Sequence, residues 1–294
     1  MALYIQTNTT SLNAQRDLNQ VNRVNKNVTQ RLASGLRINS AADDPANLQV
    51  SNRMTSQING LKQGNRNTCD GQALINTAEG ALCEEISILQ RIRVLATQSA
   101  NGTYTELDRE SMQQEVNDIC KEITRIAYDT TYAGAQILNG TNNGLINQDG
   151  NLRIHVGAAA NCVVDIKLDI AFSMSALHAY IGGLADGGYD SDNQSFDIST
   201  RDNAEKVIAG IDDYILYIDS KRTELGAISN RFDSTVRNQD TIHENQSFSR
   251  SQIRDSDYAE ETSRYIKNNI MTNASTQMLV QANARPEVVA ALLS

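Results

Sequence analysis

Both ends of this chain carry apolar residues at helical spacing, too thinly for either end to be stable alone. Near the N-terminus Leu18, Val21, Val24, Val28 and Leu32 recur at steps of three and four among Asn, Gln, Thr, Lys and Arg. Near the C-terminus Ile266, Ile270, Ala274 and Met278 repeat the pattern, followed by Leu279 and a run from Val288 that closes on Leu292 and Leu293. Helices in proteins draw most of their stability from packing an apolar face against a partner. The natural partners are each other, and further copies of the same ends.

Composition points to an assembling protein. The chain has 294 residues, no Trp and two prolines, Pro45 and Pro286, which leaves room for very long helices. A net charge of -9 without any Lys/Arg-rich run argues against nucleic-acid binding, which needs a concentrated positive patch. No apolar stretch approaches the roughly 20 residues that span a bilayer, so no membrane partner is expected. Residues 1–10 have neither the charged nor the apolar region of a signal peptide. An exported chain of this kind would leave by a route that removes no signal peptide.

Between the ends, Ile75, Ala78, Leu82, Ile86, Leu89, Ile92 and Ala96 mark a long helix from Thr55 to about Ala100, expected to be broken locally at Gly60, Gly64 and Gly71. After Asn101-Gly102, a second helix over Glu106–Ala127 carries Met112, Val116, Ile119, Ile123 and Ile126, giving an antiparallel helical hairpin. The period then changes to two: Leu152, Ile154 and Val156, then Val164, Ile166, Leu168 and Ile170, alternate with polar residues as a β-hairpin. The Gly/Asp/Ser-rich stretch that follows reads as an exposed loop. From Thr200 the helical period returns, with Ile208, Ile211, Ile215, Ile218, Arg222, Leu225, Ser229, Phe232 and Val236 at successive a and d positions of a core seam. The fold class is mainly α: a long antiparallel helical bundle and a terminal coiled coil, with a β-hairpin in the mid-chain.

Arg31 to Ala46 (RLASGLRINSAADDPA), Thr77 to Leu82, Leu89 to Thr103 (LQRIRVLATQSANGT), Asn230 to Phe232, Ser249 to Thr262 and Gln281 to Asn283 form an ordered series along the chain. In these stretches the chain resembles bacterial flagellins. The resemblance implies a subunit that polymerises helically into the flagellar filament for motility, its terminal helices ordering on assembly. Implied segments are an N-terminal inner-tube helix over 1–42, a core domain over 43–175, a short exposed variable loop over 176–200, a returning core helix over 201–255 and a C-terminal inner-tube helix over 256–294. With so short a loop, the chain would be a minimal flagellin without a large outer domain. Other copies of the subunit, an export chaperone and a filament cap are the implied partners, and the implied location is the extracellular filament. A hook-filament junction protein shares this plan, and a secreted helical adhesin or immune ligand is the alternative from another class.

The terminal residues Asn8, Asn13, Gln15, Gln20 and Asn27 fit either a solvated face or the polar, uncharged lining of the family's inner tube. Gln90, Arg91, Leu95 and Glu115 fall where receptor-recognised flagellins contact a host Toll-like receptor, positions that also serve packing between subunits. Cys69, Cys83, Cys120 and Cys162 depart from the family pattern. Cys83 and Cys120 lie nearly equidistant from the Asn101-Gly102 turn, suggesting a Cys83–Cys120 disulfide with Cys69–Cys162 as the second. Four cysteines allow three connectivities, and unpaired thiols filling small gaps are an equally open reading. No CxxC spacing suggests a metal. His243-Glu244 resembles the start of a zinc-protease helix, but Ser247 stands where the second His belongs. No catalytic motif or cofactor is expected.

Overall fold

The computed structural model describes residues 7–140, 145–147, 150–182 and 188–293, with backbone alone over 285–293. The chain is mainly helical and divides into two compact units, Met1–Ile58 with Glu244–Ser294, and Asn59–His243. In chain order the elements are α1 (Thr9–Ser34), α2 (Pro45–Ala100), α3 (Glu106–Asp129), the strands β1 (Thr131–Tyr132), β2 (Ala135–Gln136), β3 (Asn151–His155) and β4 (Val163–Lys167), then α4 (Met174–Ile181), β5 (Tyr189–Asp190), β6 (Ser195–Phe196), α5 (Arg201–Arg254) and α6 (Tyr258–Leu293).

Helix α2 begins at Pro45, earlier than the spacing from Thr55 suggests. Proline suits the first helical position, where its missing N–H is not needed, and the preceding Asp44 caps the helix by accepting from the Asn47 N–H at 3.0 Å. Two heptad rows then run down one face. Leu61, Thr68, Ile75, Leu82, Leu89 and Ala96 form the first; Gly64, Gly71, Ala78, Glu85, Ile92 and Ser99 form the second, and all are buried.

The glycines do not break α2. They make room on it for neighbouring chain. A Cβ at Gly64 would stand 2.5 Å from the Val156 carbonyl oxygen, one at Gly60 2.7 Å from the Ala158 Cβ, and one at Gly71 3.0 Å from the Phe232 ring. The β3–β4 hairpin, paired antiparallel with Leu152 opposite Ile166 and Ile154 opposite Val164, lies against this glycine track. The Asn67 amide donates to the His155 carbonyl at 2.9 Å, and the buried Gln239 amide donates to the Val156 carbonyl. The expected hairpin is therefore present, fixed on α2 and α5.

Within the Asn59–His243 unit, α2 and α5 run antiparallel, as bonds from Asn65 to Asp240 (2.6 Å) and Gln72 to Asp233 (2.9 Å) and the Arg93–Asp212 ion pair (2.8 Å) require. Along α5 every seventh residue is buried from Ala204 through Ile211, Ile218, Leu225 and Phe232 to Gln239. Val207 and Tyr214 fill the intervening positions. Ile208 and Ile215, placed in the seam by spacing, are half-buried on its flank instead. A run with isoleucine at both 207+1 and 214+1 leaves the phase ambiguous by one residue, and packing resolves it.

The α2–α3 turn is closed by Arg109, which donates to the Ser99 and Asn101 carbonyls at 2.9 and 3.2 Å, satisfying acceptors at the helix end. Thr105 and Asp108 form a reciprocal capping box at the start of α3. The expected exposed loop over 176–200 is largely structured, apart from residues 183–187, which lie outside the described residues. Leu177, Phe196 and Ile198 are buried. Gln113 of α3 donates to the Phe196 carbonyl at 2.8 Å and accepts from the Ile198 N–H at 2.6 Å. His178 stacks on Tyr189, ring centroids 3.8 Å apart, and shares a 2.8 Å hydrogen bond with the Tyr214 hydroxyl. Short aromatic residues inside a polar stretch supply this anchor, which loop composition hides.

Candidate assembly surface

Helices α1 and α6 pair along their lengths. Asn8 caps α1 by accepting from the Ser11 N–H at 3.0 Å, and Gly35 ends it in the left-handed conformation, φ 70°. Asp257 caps α6, accepting from the Ala259 N–H at 2.8 Å, and Glu260 and Glu261 follow in its first turn, where acidic side chains favour the helix dipole. The two connecting segments are stitched together: Arg37 N–H donates to the Arg254 carbonyl at 2.7 Å and Ser256 N–H to the Gly35 carbonyl at 2.9 Å. In the same connection Asp43 accepts from Ser40 and Asn39, and the Ser40 backbone bond above all holds its carboxyl below the usual range.

On α1 the covered face takes in four of the five expected stripe residues. Ser11, Ala14, Leu18, Val21, Asn25, Val28 and Leu32 follow heptad spacing and are buried or half-buried, whereas Val24 is exposed. On α6 the covered heptad is Glu261, Asn268, Ser275 and Ala282, with Thr272 and Leu279 half-buried beside it. Apart from Leu279, that face is polar or small. Other large apolar residues are turned outward: Ile266 is 53% exposed, Ile270 64% and Val280 61%, while Met278, 69% exposed, stands at the edge of a groove shared with α1.

The helix is thus inside out for a subunit on its own. Next to this face, a groove of about 520 Å³ is lined by Asn13, Ala14, Met271, Ala274 and Met278. A second, of about 780 Å³, is lined by Val21, Val24, Asn27, Val28 and Met271. The side chains of Leu292 and Leu293 lie outside the described residues. Sequence periodicity located the apolar stripe at Ile266, Ile270 and Met278. It gave no sign that the intrachain partner takes the opposite face, a signal present in the heptad Glu261, Asn268, Ser275 and Ala282.

Of the four residues singled out for a receptor, three lie at the surface and one is buried. Gln90 is exposed, and Arg91 pairs with Glu115 across α2 and α3 at 2.7 Å, both side chains about half exposed. Leu95 is only 2% exposed and belongs to the core, so it offers nothing to a partner; the exposed neighbour is Val94. The Arg91–Glu115 pair also fixes the hairpin level. Counting back from Arg91 to Cys83 and equally far forward from Glu115 leads to Ile123, not Cys120.

The expected Cys83–Cys120 and Cys69–Cys162 disulfides are not formed. All four are free thiols, with Cys69, Cys83 and Cys162 exposed and Cys120 buried. Cys83 and Cys120 lie on different faces of their helices. Burial pushes the Cys120 thiol up to about 12, making it an inert core residue. Among the described residues no cluster of His, Cys, Asp or Glu could hold a metal, and no helix is long and apolar enough to cross a membrane.

Residues 5–143 match the bacterial flagellin N-terminal helical region and residues 208–293 the bacterial flagellin C-terminal helical region. The chain is 36% identical to a flagellin of Halalkalibacterium halodurans over 99% of this chain and all of that one. It is 32% identical to polar flagellin F of Vibrio parahaemolyticus over the whole of both chains. A solved structure of a putative flagellar hook-associated protein from Vibrio parahaemolyticus shares the fold, with TM-score 0.57 over 72% of this chain and all of that one, at 14% identity. With both terminal helical regions matched and relatives aligned from end to end, this chain belongs to the bacterial flagellin family.

Proposed function

We propose that the chain is the repeating structural subunit of a bacterial flagellar filament, and that it joins other copies through the outward face of α6. The observation that carries this reading is the inverted helix: Glu261, Asn268 and Ser275 toward α1, Ile266, Ile270, Met278 and Val280 toward solvent. Burying a large aliphatic side chain is worth about 1.5–3 kcal/mol. A row of them left exposed along one helix marks an interaction surface, and a chain that must stack on itself supplies the cover with its own copies.

The test is electron microscopy of the full chain after seeding with filament fragments. The wild type is expected to grow long filaments of uniform diameter, and Ile270→Asp with Met278→Asp to remain unpolymerised while the thermal transition of the Asn59–His243 unit stays unchanged. Normal growth of that variant would refute the assigned surface. Short, capped stacks from the wild type would move the reading to a hook-filament junction protein, and a persistent wild-type monomer to a soluble adhesin or immune ligand.

Family membership supports further parts of this reading: the extracellular filament as location, export without a cleaved signal peptide, and an export chaperone and filament cap as transient partners. A host Toll-like receptor would meet Gln90 and the Arg91–Glu115 pair without Leu95. The same side chains are available to pack against neighbouring subunits, and that role needs no host.

A further inference from the structure

We propose that Asn25 with Asn269, and Arg31 with Glu261, form a register lock that selects one alignment of α1 on the α6 of its own chain. The inference rests on the filament reading only in its purpose; the lock itself belongs to a single chain. Besides the Tyr258 hydroxyl, which donates to the Leu32 carbonyl at 3.2 Å, four polar contacts cross between the helices. The Asn8 amide donates to the Ala282 carbonyl at 2.8 Å, Ser11 Oγ to Asn283 Oδ1 at 2.6 Å, Asn25 Nδ2 to Asn269 Oδ1 at 3.1 Å, and Arg31 pairs with Glu261 at 3.3 Å. All four require the same antiparallel alignment.

The apolar part of the seam has no such preference. Leu18, Val21, Val28 and Leu32 repeat with the helix, so sliding α6 by one heptad would leave an aliphatic face still covered. The polar part would not survive the slide. Seven residues of shift set Asn25 against Thr262 or Thr276 and carry Glu261 away from Arg31. Glu261 has a side chain only 5% exposed, and its Oε2, like Asn25 Oδ1, is already buried without a partner. The slide would break the Asn25 and Arg31 bonds and leave Glu261 with Arg264 of its own helix alone, 3.3 Å away, and a buried polar group that loses a partner is costly. A polar residue at a single core position of a coiled coil specifies register and partner number at the expense of stability.

The need for such a lock follows from self-assembly. When copies of one chain gather, each α1 meets many identical α6 helices, and a purely aliphatic seam would pair with any of them at any heptad. A polar seam also keeps the α1–α6 pair weak in a lone subunit, leaving its outward apolar face to complete the stability once copies join.

The test uses the full chain carrying Asn25→Val and Asn269→Leu, unseeded and at micromolar concentration. Hydrogen exchange of amides in α1 and α6 is expected to slow at least tenfold, and light scattering to reveal dimers or larger species where the wild type is monomeric. Unchanged or faster exchange, or a variant that stays monomeric, would overturn the lock. Exchange in the Asn59–His243 unit serves as the folding control. Replacing Arg31 and Glu261 together with Met is a second route, expected to shift both readouts in the same direction. Should the wild type fail to elongate on seeds, the filament reading falls. The lock is then still decided by exchange and scattering on the single chain.

Discussion

Glu85 should be the most destabilising side chain in the core at neutral pH, and replacing it should reshape how stability depends on pH. It occupies a buried heptad position of α2 between Leu82 and Leu89, is fully buried, and both carboxylate oxygens lack a hydrogen-bond partner. Desolvation raises its pKa well above the ordinary 4.5. A raised folded-state pKa makes the sign definite: stability is fully present below 4.5 and is lost as pH climbs toward the folded value, beyond which the loss is constant. In that window each pH unit costs about 1.4 kcal/mol. Glu85→Met fills similar volume and removes both this slope and the unmet carboxyl, itself worth about 1–3 kcal/mol. Glu85→Gln keeps an unmet polar group but removes the slope. Urea unfolding followed by circular dichroism at several pH values measures all three proteins. Parallel pH profiles for wild type and Glu85→Met, or a less stable methionine variant at pH 7, would refute the reasoning.

Two glycines in α2 should respond oppositely to alanine. Gly64→Ala forces a Cβ to 2.5 Å from the Val156 carbonyl oxygen and is expected to cost about 1–3 kcal/mol, whereas Gly80→Ala, with open space around it, should gain about 0.5–1 kcal/mol; urea midpoints decide both. Burial lowers the His178 pKa below 6.5, so its contribution to stability is present above 6.5 and lost as pH falls through the folded value. His178→Phe should flatten the acid limb of the unfolding profile. Arg91→Ala should change stability by less than about 1 kcal/mol, because the pair with Glu115 is exposed to solvent on both sides, and the small difference should shrink further in salt.

Much of the fold was legible because repeats of seven and of two survive in the residues. Ile211, Ile218, Leu225 and Phe232 lie in the seam where spacing places them, and Leu152 opposite Ile166 follows from alternation. What periodicity cannot tell is which neighbour comes close. Gly60, Gly64 and Gly71 look like helix breakers until the β3–β4 hairpin is found against them. Glu85 sits in phase with Ile92 yet reads as a surface residue by type alone. For the assembly surface the sequence gives an apolar stripe on α6. The inward heptad is almost free of large apolar residues, so its role appears only when α1 is seen covering it.

The terminal unit joins the first 58 residues to those after His243, with Asn8 bonded 274 positions ahead to Ala282. The Asn59–His243 unit is one continuous stretch holding its own core. A polypeptide broken off before Tyr258 therefore retains everything that unit needs, yet leaves α1 without its mate. On the proposed assembly surface, chain topology would then act as a check on completeness: a truncated copy is expected to fold in the middle and to fail to join a growing filament, without any separate inspection.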